Sequence, residues 1–180
     1  MNIDPTFSPD YDYPHRREVE IKVSCEDRAE LVIESRRPVL RPAYPSWVRK
    51  RVHRELEETS PKKFYTARFE LWLAPGQDTD AGVTGHAVYE ALKAGDLLAG
   101  CAGLFELQII RPRGKEFYER YFLGKAVFGW RWVVEHYNGR LFVPYLGVYR
   151  GSLGEHWHCL DDNLNYVRPA LRFGMPEASK

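Results

Sequence analysis

The chain has 180 residues, a formal net charge of +1 and a hydrophobic fraction of 44%, which together fit one globular domain of ordinary size. No stretch approaches the roughly eighteen uninterrupted apolar residues of a membrane span, and the N-terminus lacks the basic start and apolar run of a signal peptide. The three cysteines, Cys25, Cys101 and Cys159, are far apart, so they indicate neither a disulfide framework nor a zinc site. We therefore expect a reduced, cytoplasmic protein without a cofactor and without membrane contact.

The N-terminal part of the chain is predicted to form an extended arm followed by a hairpin. Residues 1–17 hold prolines and aspartates without any periodicity, which is typical of an extended arm. Apolar and charged residues then alternate over 18–23 and again over 28–34, which predicts two strands of one hairpin. The polar faces of these strands are mostly acidic.

A helix is predicted over Trp47–Glu58, directly after a proline-rich segment. Ser46 suits the N-cap position, and Val48, Val52 and Leu56 are spaced by four residues, which places them on one helical face.

The middle of the chain is predicted to alternate between strands and helices. The alternating pattern of Lys63–Leu73 predicts a strand, and Thr84–Ala94 reads as a helix that Gly95 ends. The apolar run Leu104–Ile110 reads as a buried strand, and Lys115–Phe122 as a short helix.

A second hairpin is predicted at Asn138-Gly139, a dipeptide that favours a tight type I′ turn. Its register pairs Val134 with Val143 and gathers aromatic and apolar residues on one face: Phe128, Trp130, Trp132 and Val134 with Leu141, Val143, Tyr145 and Tyr149. Pro144 would then lack a ladder hydrogen bond, which predicts an edge strand or a bulge. A last strand is predicted over Glu155–Leu160, and the tail after Pro169 is predicted to be irregular.

These elements predict a single α+β domain over residues 18–172, followed by a C-terminal tail over 173–180. The hairpins favour a mainly antiparallel sheet with two or three helices packed on one face.

The segment from Arg36 to Arg54 carries seven Arg or Lys residues and not one Asp or Glu. On a helix over Trp47–Glu58, the cations would crowd the N-terminal end, where the macrodipole disfavours them. Local stability therefore does not explain them. They pair either with an anionic partner or, within the fold, with the six acids of residues 18–34.

An anionic partner is the leading hypothesis, and it makes the protein a non-catalytic binding protein. Lys and Arg neutralise phosphates, and aromatic rings stack on exposed bases. The nearly balanced charge argues against a dedicated nucleic-acid binder, so an acidic protein surface is also a candidate, and a solvated or internally paired surface remains an alternative. The predicted contact residues are Arg36, Arg37, Arg41, Tyr44, Trp47, Arg49, Lys50, Arg51, Arg54 and a second basic loop with Arg111, Arg113 and Lys115.

A metal-dependent hydrolase or nuclease is the alternative hypothesis. On a strand, His156 and His158 project from one face, and Asp161 or Asp162 could add a carboxylate. The pattern differs from the HxHxDH motif of metallo-β-lactamase-like hydrolases, because Leu160 and Asp161 occupy its Asp and His positions. A hydrogen-bonded pair of strand histidines explains the same residues without a metal.

Two weaker patterns and a third hypothesis complete the candidates. Asp10 with Glu20 and Lys22 matches the degenerate PD…ExK pattern of nucleases, and His86 with Glu90 would share a helix face. Each is also typical of ordinary surface residues. The third hypothesis is a structural or assembly subunit, such as a homo-oligomer, whose exposed aromatic residues form its interface.

Overall fold

The computed structural model describes residues 29–33, 44–58 and 65–174. The predicted arm over 1–17 and the predicted strand over 18–23 lie outside these residues. The strands are β1 (Ala29–Ile33), β2 (Val48–Arg51), β3 (Tyr65–Trp72), β4 (Val83–Thr84), β5 (Val127–Phe128), β6 (Val134–His136), β7 (Leu141–Tyr149), β8 (Ser152–Cys159), β9 (Asn163–Leu164) and β10 (Ala170–Phe173). The α-helices are α1 (Arg54–Glu58), α2 (Gly85–Ala94), α3 (Leu104–Ile110) and α4 (Gly114–Phe122), and short 3-10 turns cover Leu98–Gly100, Arg111–Arg113 and Trp130–Trp132.

Strand β7 is the centre from which the main sheet branches. It pairs with β8 along one side. On its other side it pairs with β6 near its start and with β5 further along. From β5 the sheet continues through β10 and β3 to β1, and from β6 it continues to β2. All of these pairs are antiparallel except β10 with β5, so the predicted α+β class and the mainly antiparallel sheet are confirmed.

The helices cover both faces of this sheet, whereas the prediction placed them on one face. Successive strand residues point to opposite faces, so Phe128 and Ala170 pack with α2 whereas Val127 and Leu171 pack with α3 and α4. The first cluster also contains Trp130, whose ring stacks beside Phe128. Two apolar cores therefore lie on the two sides of one sheet.

Five of the predicted elements are confirmed with small shifts at their ends, and the first is the strand predicted over 28–34, which is β1. The strand predicted over Lys63–Leu73 is β3, and the strand predicted over Glu155–Leu160 is β8. The helix predicted over Thr84–Ala94 is α2, in which the Thr84 hydroxyl accepts a hydrogen bond from the Ala87 amide as the N-cap. The helix predicted over Lys115–Phe122 is α4.

The prediction of a strand over Leu104–Ile110 is wrong, because these residues form α3. A short run buried on almost every side shows no helical period, so the sequence pattern does not separate helix from strand. Glu106 caps the N-terminus of this helix, because its carboxylate accepts a hydrogen bond of 2.7 Å from the Gly103 amide. The same carboxylate binds Nη2 of Arg131 at 2.5 Å, which joins α3 to the 3-10 turn of Trp130–Trp132.

The predicted register of the second hairpin is wrong by one residue. Val134 pairs with Phe142, because a longer loop connects β6 to β7 and only Gly139 in it has a positive φ, 83°. The 3-10 turn of Trp130–Trp132 then interrupts the strand, so Trp130 and Trp132 belong to different clusters.

Pro144 lies inside the sheet, where an edge strand or a bulge was expected. Its carbonyl accepts a hydrogen bond of 2.9 Å from the Gly129 amide, so its nitrogen faces the same side of β7. On that side, Pro144 lies opposite the gap between β5 and β6. The missing N–H of Pro144 therefore removes no hydrogen bond between strands.

The prediction of an irregular tail after Pro169 is also wrong, because Ala170–Phe173 forms the interior strand β10. Both of its neighbours, β3 and β5, are distant in sequence. A short strand of this kind depends on long-range pairing, which its own four residues do not reveal.

Candidate anion-binding surface

The basic residues of the Arg36–Arg54 segment lie on a strand, and the predicted helix over Trp47–Glu58 is wrong. Residues Val48–Arg51 form β2, and only Arg54–Glu58 are helical. Pairing with β6 favours a strand over a helix for these residues. The register of this pairing shifts between Val48 and Lys50, so Arg49 is the extra residue of a β-bulge. The helix-dipole argument therefore no longer applies to these cations.

Arg49 and Lys50 are the exposed cations of this strand. Nη1 of Arg49 lies 3.4 Å from Oε1 of Glu135 on β6, and 58% of the Arg49 side chain is accessible to solvent. Lys50 makes no ion pair with any residue in the described part of the chain. We call Arg49 and Lys50 the cationic strand pair; its two side chains are largely in water.

The two aromatic residues of the segment are packed within the fold. The Tyr44 ring stacks on Trp132 with centroids 5.5 Å apart, and the Arg51 guanidinium lies over it. The Trp47 ring contacts His136, Phe142 and Trp157. These rings are occupied by neighbours, so the contribution of base stacking to an anion site is small.

The remaining cations of the segment have different positions. Arg54 is exposed at the start of α1. Arg36, Arg37 and Arg41 lie outside the described residues.

The acids proposed as internal partners belong to another branch of the sheet, as far as the structure describes them. Glu30 lies on β1, which pairs with β3 at the end of the branch that runs through β5 and β10. The cationic strand pair ends the other branch, next to β6. The other acids of residues 18–34 lie outside the described residues, so pairing with them stays a prediction.

The second basic loop packs beside β8. Arg111–Arg113 form a 3-10 turn, and Lys115 is the second residue of α4, where its Nζ lies 3.7 Å from Oε1 of Glu119. Arg111 is exposed, whereas Arg113 is half-buried, and this burial lowers the pKa of its guanidinium.

His156 and His158 share one face of β8, where aromatic rings surround them. His156 lies 5.4 Å from the Tyr145 ring, and His158 lies 5.6 Å from the Phe128 ring. Burial lowers the pKa of both imidazoles, and Nε2 of His158 is buried without a hydrogen-bond partner in the described part of the chain. Both rings are therefore neutral at pH 7.

Asp161, one of the two carboxylates that could complete a metal site, binds other partners. Oδ1 of Asp161 lies 2.9 Å from Nε2 of His86, and its Oδ2 accepts a hydrogen bond of 2.6 Å from Arg140. The Arg140 guanidinium, followed by His86, lowers the pKa of Asp161. Among residues 29–33, 44–58 and 65–174, no group of three His, Cys, Asp or Glu side chains is arranged to hold a metal ion. A metal site at His156, His158 and Asp162 stays a prediction.

Of the two weaker patterns, one has a different ion pair and the other lies outside the described residues. Glu90 binds Lys93, so His86 and Glu90 do not form the predicted pair. Asp10, Glu20 and Lys22 lie outside the described residues.

A polar contact near β2 was missed by the sequence patterns. Nε2 of His53 lies 2.5 Å from the Tyr89 hydroxyl, and its Nδ1 lies 3.3 Å from Glu55. Burial, followed by the charges of Glu90 and Glu55, raises the pKa of Tyr89 to about 12, so the hydroxyl stays protonated at neutral pH. This contact fixes the turn after β2 to helix α2. No sequence pattern predicts the contact between His53 and Tyr89, because the two residues are far apart in the chain.

No family model matches this chain, and neither a curated protein nor a solved structure is significantly similar to it. None of the helices in the described part of the chain has the length and apolar character that crossing a membrane requires.

Proposed function

We propose that this protein is a binding protein that contacts an anionic partner, a nucleic acid or an acidic protein surface, through the cationic strand pair. The observation that carries the proposal is the exposure of Arg49 and Lys50 on the short strand that borders the sheet. A single acid, Glu135, is within ion-pair distance of the two cations in the described residues. One of the two positive charges is therefore without a carboxylate partner in these residues.

The contact is electrostatic in character. Tyr44 and Trp47 are packed against other rings, so the cations act without a stacking platform. Each cation that neutralises a phosphate of duplex DNA contributes roughly 0.9 to the slope of log affinity against log salt. Two cations predict a slope of about −2, which is shallow compared with dedicated DNA-binding proteins.

A structural explanation competes with this proposal. Natural sheets protect their edges from wrong pairing with charged side chains and bulges, and β2 has both. Edge protection requires the charges but no partner, so a binding measurement distinguishes the two explanations.

The test is fluorescence anisotropy with two labelled probes, a random-sequence oligonucleotide and polyglutamate, at low salt and along a salt titration. We expect one probe to bind, and we expect Arg49→Glu with Lys50→Glu to reduce its affinity at least tenfold, because two attractions become repulsions. Circular dichroism checks that the variant is folded.

The matched control reverses the charges of two exposed cations, Lys93 on α2 and Arg120 on α4. Its net charge therefore changes by the same amount as that of the β2 variant. The control variant should keep most of the affinity. The proposal fails when neither probe binds, or when the control variant loses as much affinity as the β2 variant.

A cytoplasmic location belongs to the same proposal. Cys101 and Cys159 are free and buried thiols. Burial raises the pKa of Cys101 to about 12, so its thiol stays protonated and unreactive. Such thiols are typical of a reducing compartment.

A further inference from the structure

The outer edge of β8 presents an unpaired row of backbone groups. β8 pairs with β7 without a bulge, from Tyr149 with Ser152 to Phe142 with Cys159. The turn between them, Arg150-Gly151, has positive φ at both residues, 49° and 81°, as a type I′ turn requires.

The hydrogen-bond pattern shows which backbone groups face outward. The amide of Leu160 donates to the carbonyl of Leu141 on β7, so the even-numbered residues of β8 face β7. The amides and carbonyls of Leu153, Glu155 and Trp157 therefore point away from β7. No residue in the described part of the chain makes a hydrogen bond to these groups.

This edge lacks the protection that β2 has. β8 contains no Lys, Arg or Pro, and its pairing with β7 is continuous. A long, regular edge without such residues is a template for another strand. Within the described part of the chain, the outer edge of β8 is therefore available for pairing.

We propose that two copies of this chain pair antiparallel through β8, forming one continuous sheet across a two-fold axis. This inference is independent of the cationic strand pair. A two-fold axis brings the same edge from both copies together, so outward groups of one β8 meet outward groups of the other. Two-fold dimers are also the commonest oligomers of soluble proteins.

The charges of the strand permit this pairing. The chain has a formal net charge of +1, so repulsion between two copies is weak. His156 and His158 are neutral at pH 7 because burial lowers the pKa of each imidazole. Burial likewise raises the pKa of Glu155, whose side chain lies on the face covered by α3 and α4.

Exposed apolar side chains lie at the tip of the β7–β8 hairpin. Val148 and Tyr149, at the end of β7, are 37% and 61% exposed. In an antiparallel pair of β8 strands, the hairpin tip of one copy lies beside the last residues of β8 in the other. A stable interface buries about 1,000 Å² or more, so a strand edge needs flanking contacts of this kind.

The first experiment measures amide hydrogen exchange by NMR at low and high protein concentration. We expect the amides of Leu153, Glu155 and Trp157 to exchange at least tenfold more slowly at high concentration, because pairing buries them. The amides of Gly154, His156 and His158 should be protected at both concentrations.

The second experiment compares Leu153→Pro with Leu153→Ala by sedimentation. Both variants remove the leucine side chain, but only proline removes the outward N–H. The wild type and Leu153→Ala should form dimers as concentration rises, and Leu153→Pro should remain a monomer.

Three outcomes would overturn the proposal: a wild type that is monomeric at every concentration, a dimer in which the three outward amides exchange freely, and a monomer in which they are protected. The last result would mean that another segment of the same chain covers the edge. The exchange experiment uses only the wild type, so it decides the question even when Leu153→Pro does not fold.

Discussion

Two Arg–Glu pairs of this protein have the same chemistry and opposite environments. Arg131 and Glu106 lie in the core, with 5% and 0% of their side chains exposed, and their atoms are 2.5 Å apart. Arg49 and Glu135 lie at the end of one branch of the sheet, with 58% and 20% exposed and 3.4 Å between them. Water therefore screens the second pair and not the first.

The difference shows which charges the fold requires. Removing one partner of a buried pair leaves a charge without water or a counter-ion, whereas an exposed partner is simply hydrated. Glu106 and Arg131 therefore belong to the architecture. We expect substitutions of Arg49 and its neighbour Lys50 to have little effect on the fold, which would leave both cations available to the proposed partner.

The largest effect is expected in the core. Glu106→Gln leaves the Arg131 guanidinium buried without its counter-charge, so the free energy of unfolding should fall by about 3–5 kcal/mol. Urea denaturation measures this loss. Combining Glu106→Gln with Arg131→Met removes both charges, so the double variant should lose less than the sum of the two single losses. A cost of Glu106→Gln below about 1 kcal/mol would show that water reaches the pair, and the comparison would fail.

An intermediate effect is expected at the hydrogen bond between His53 and Tyr89. Tyr89→Phe removes the hydroxyl but keeps the buried ring, so stability should fall by about 1 kcal/mol. Affinity for the anionic probe should not change, because the cationic strand pair is intact. A loss of affinity comparable to that of the Arg49 and Lys50 variant would show that this contact, rather than exposed charge, determines binding.

The sequence predicts best where an element is amphipathic. Tyr65–Trp72 alternates in polarity, and α2 has its cap at Thr84 and its end at Gly95, so local rules suffice. They fail for Leu104–Ile110, because burial on nearly all sides erases the helical period. They fail again for β10, whose partners lie far away in the sequence.

The sequence predicts which cations form the candidate site but not the secondary structure that carries them. The cations from Arg49 to Arg51 are visible in the sequence, yet the spacing of Val48, Val52 and Leu56 suggested a helix. Pairing with β6 overrides that spacing and places the cations on a strand. The contacts of Tyr44 and Trp47 are also long-range, so their loss as stacking partners was not predictable.

The most direct test of this account is a double-mutant cycle on the exposed pair, using Arg49→Met, Glu135→Gln and the double variant, with unfolding by urea. We expect each single change to shift stability by less than about 0.5 kcal/mol and the coupling energy to be equally small, because water screens both charges. A coupling energy of about 2 kcal/mol or more would contradict the account. Arg49 would then be part of the architecture, as Arg131 is, and its charge would not be available to a partner.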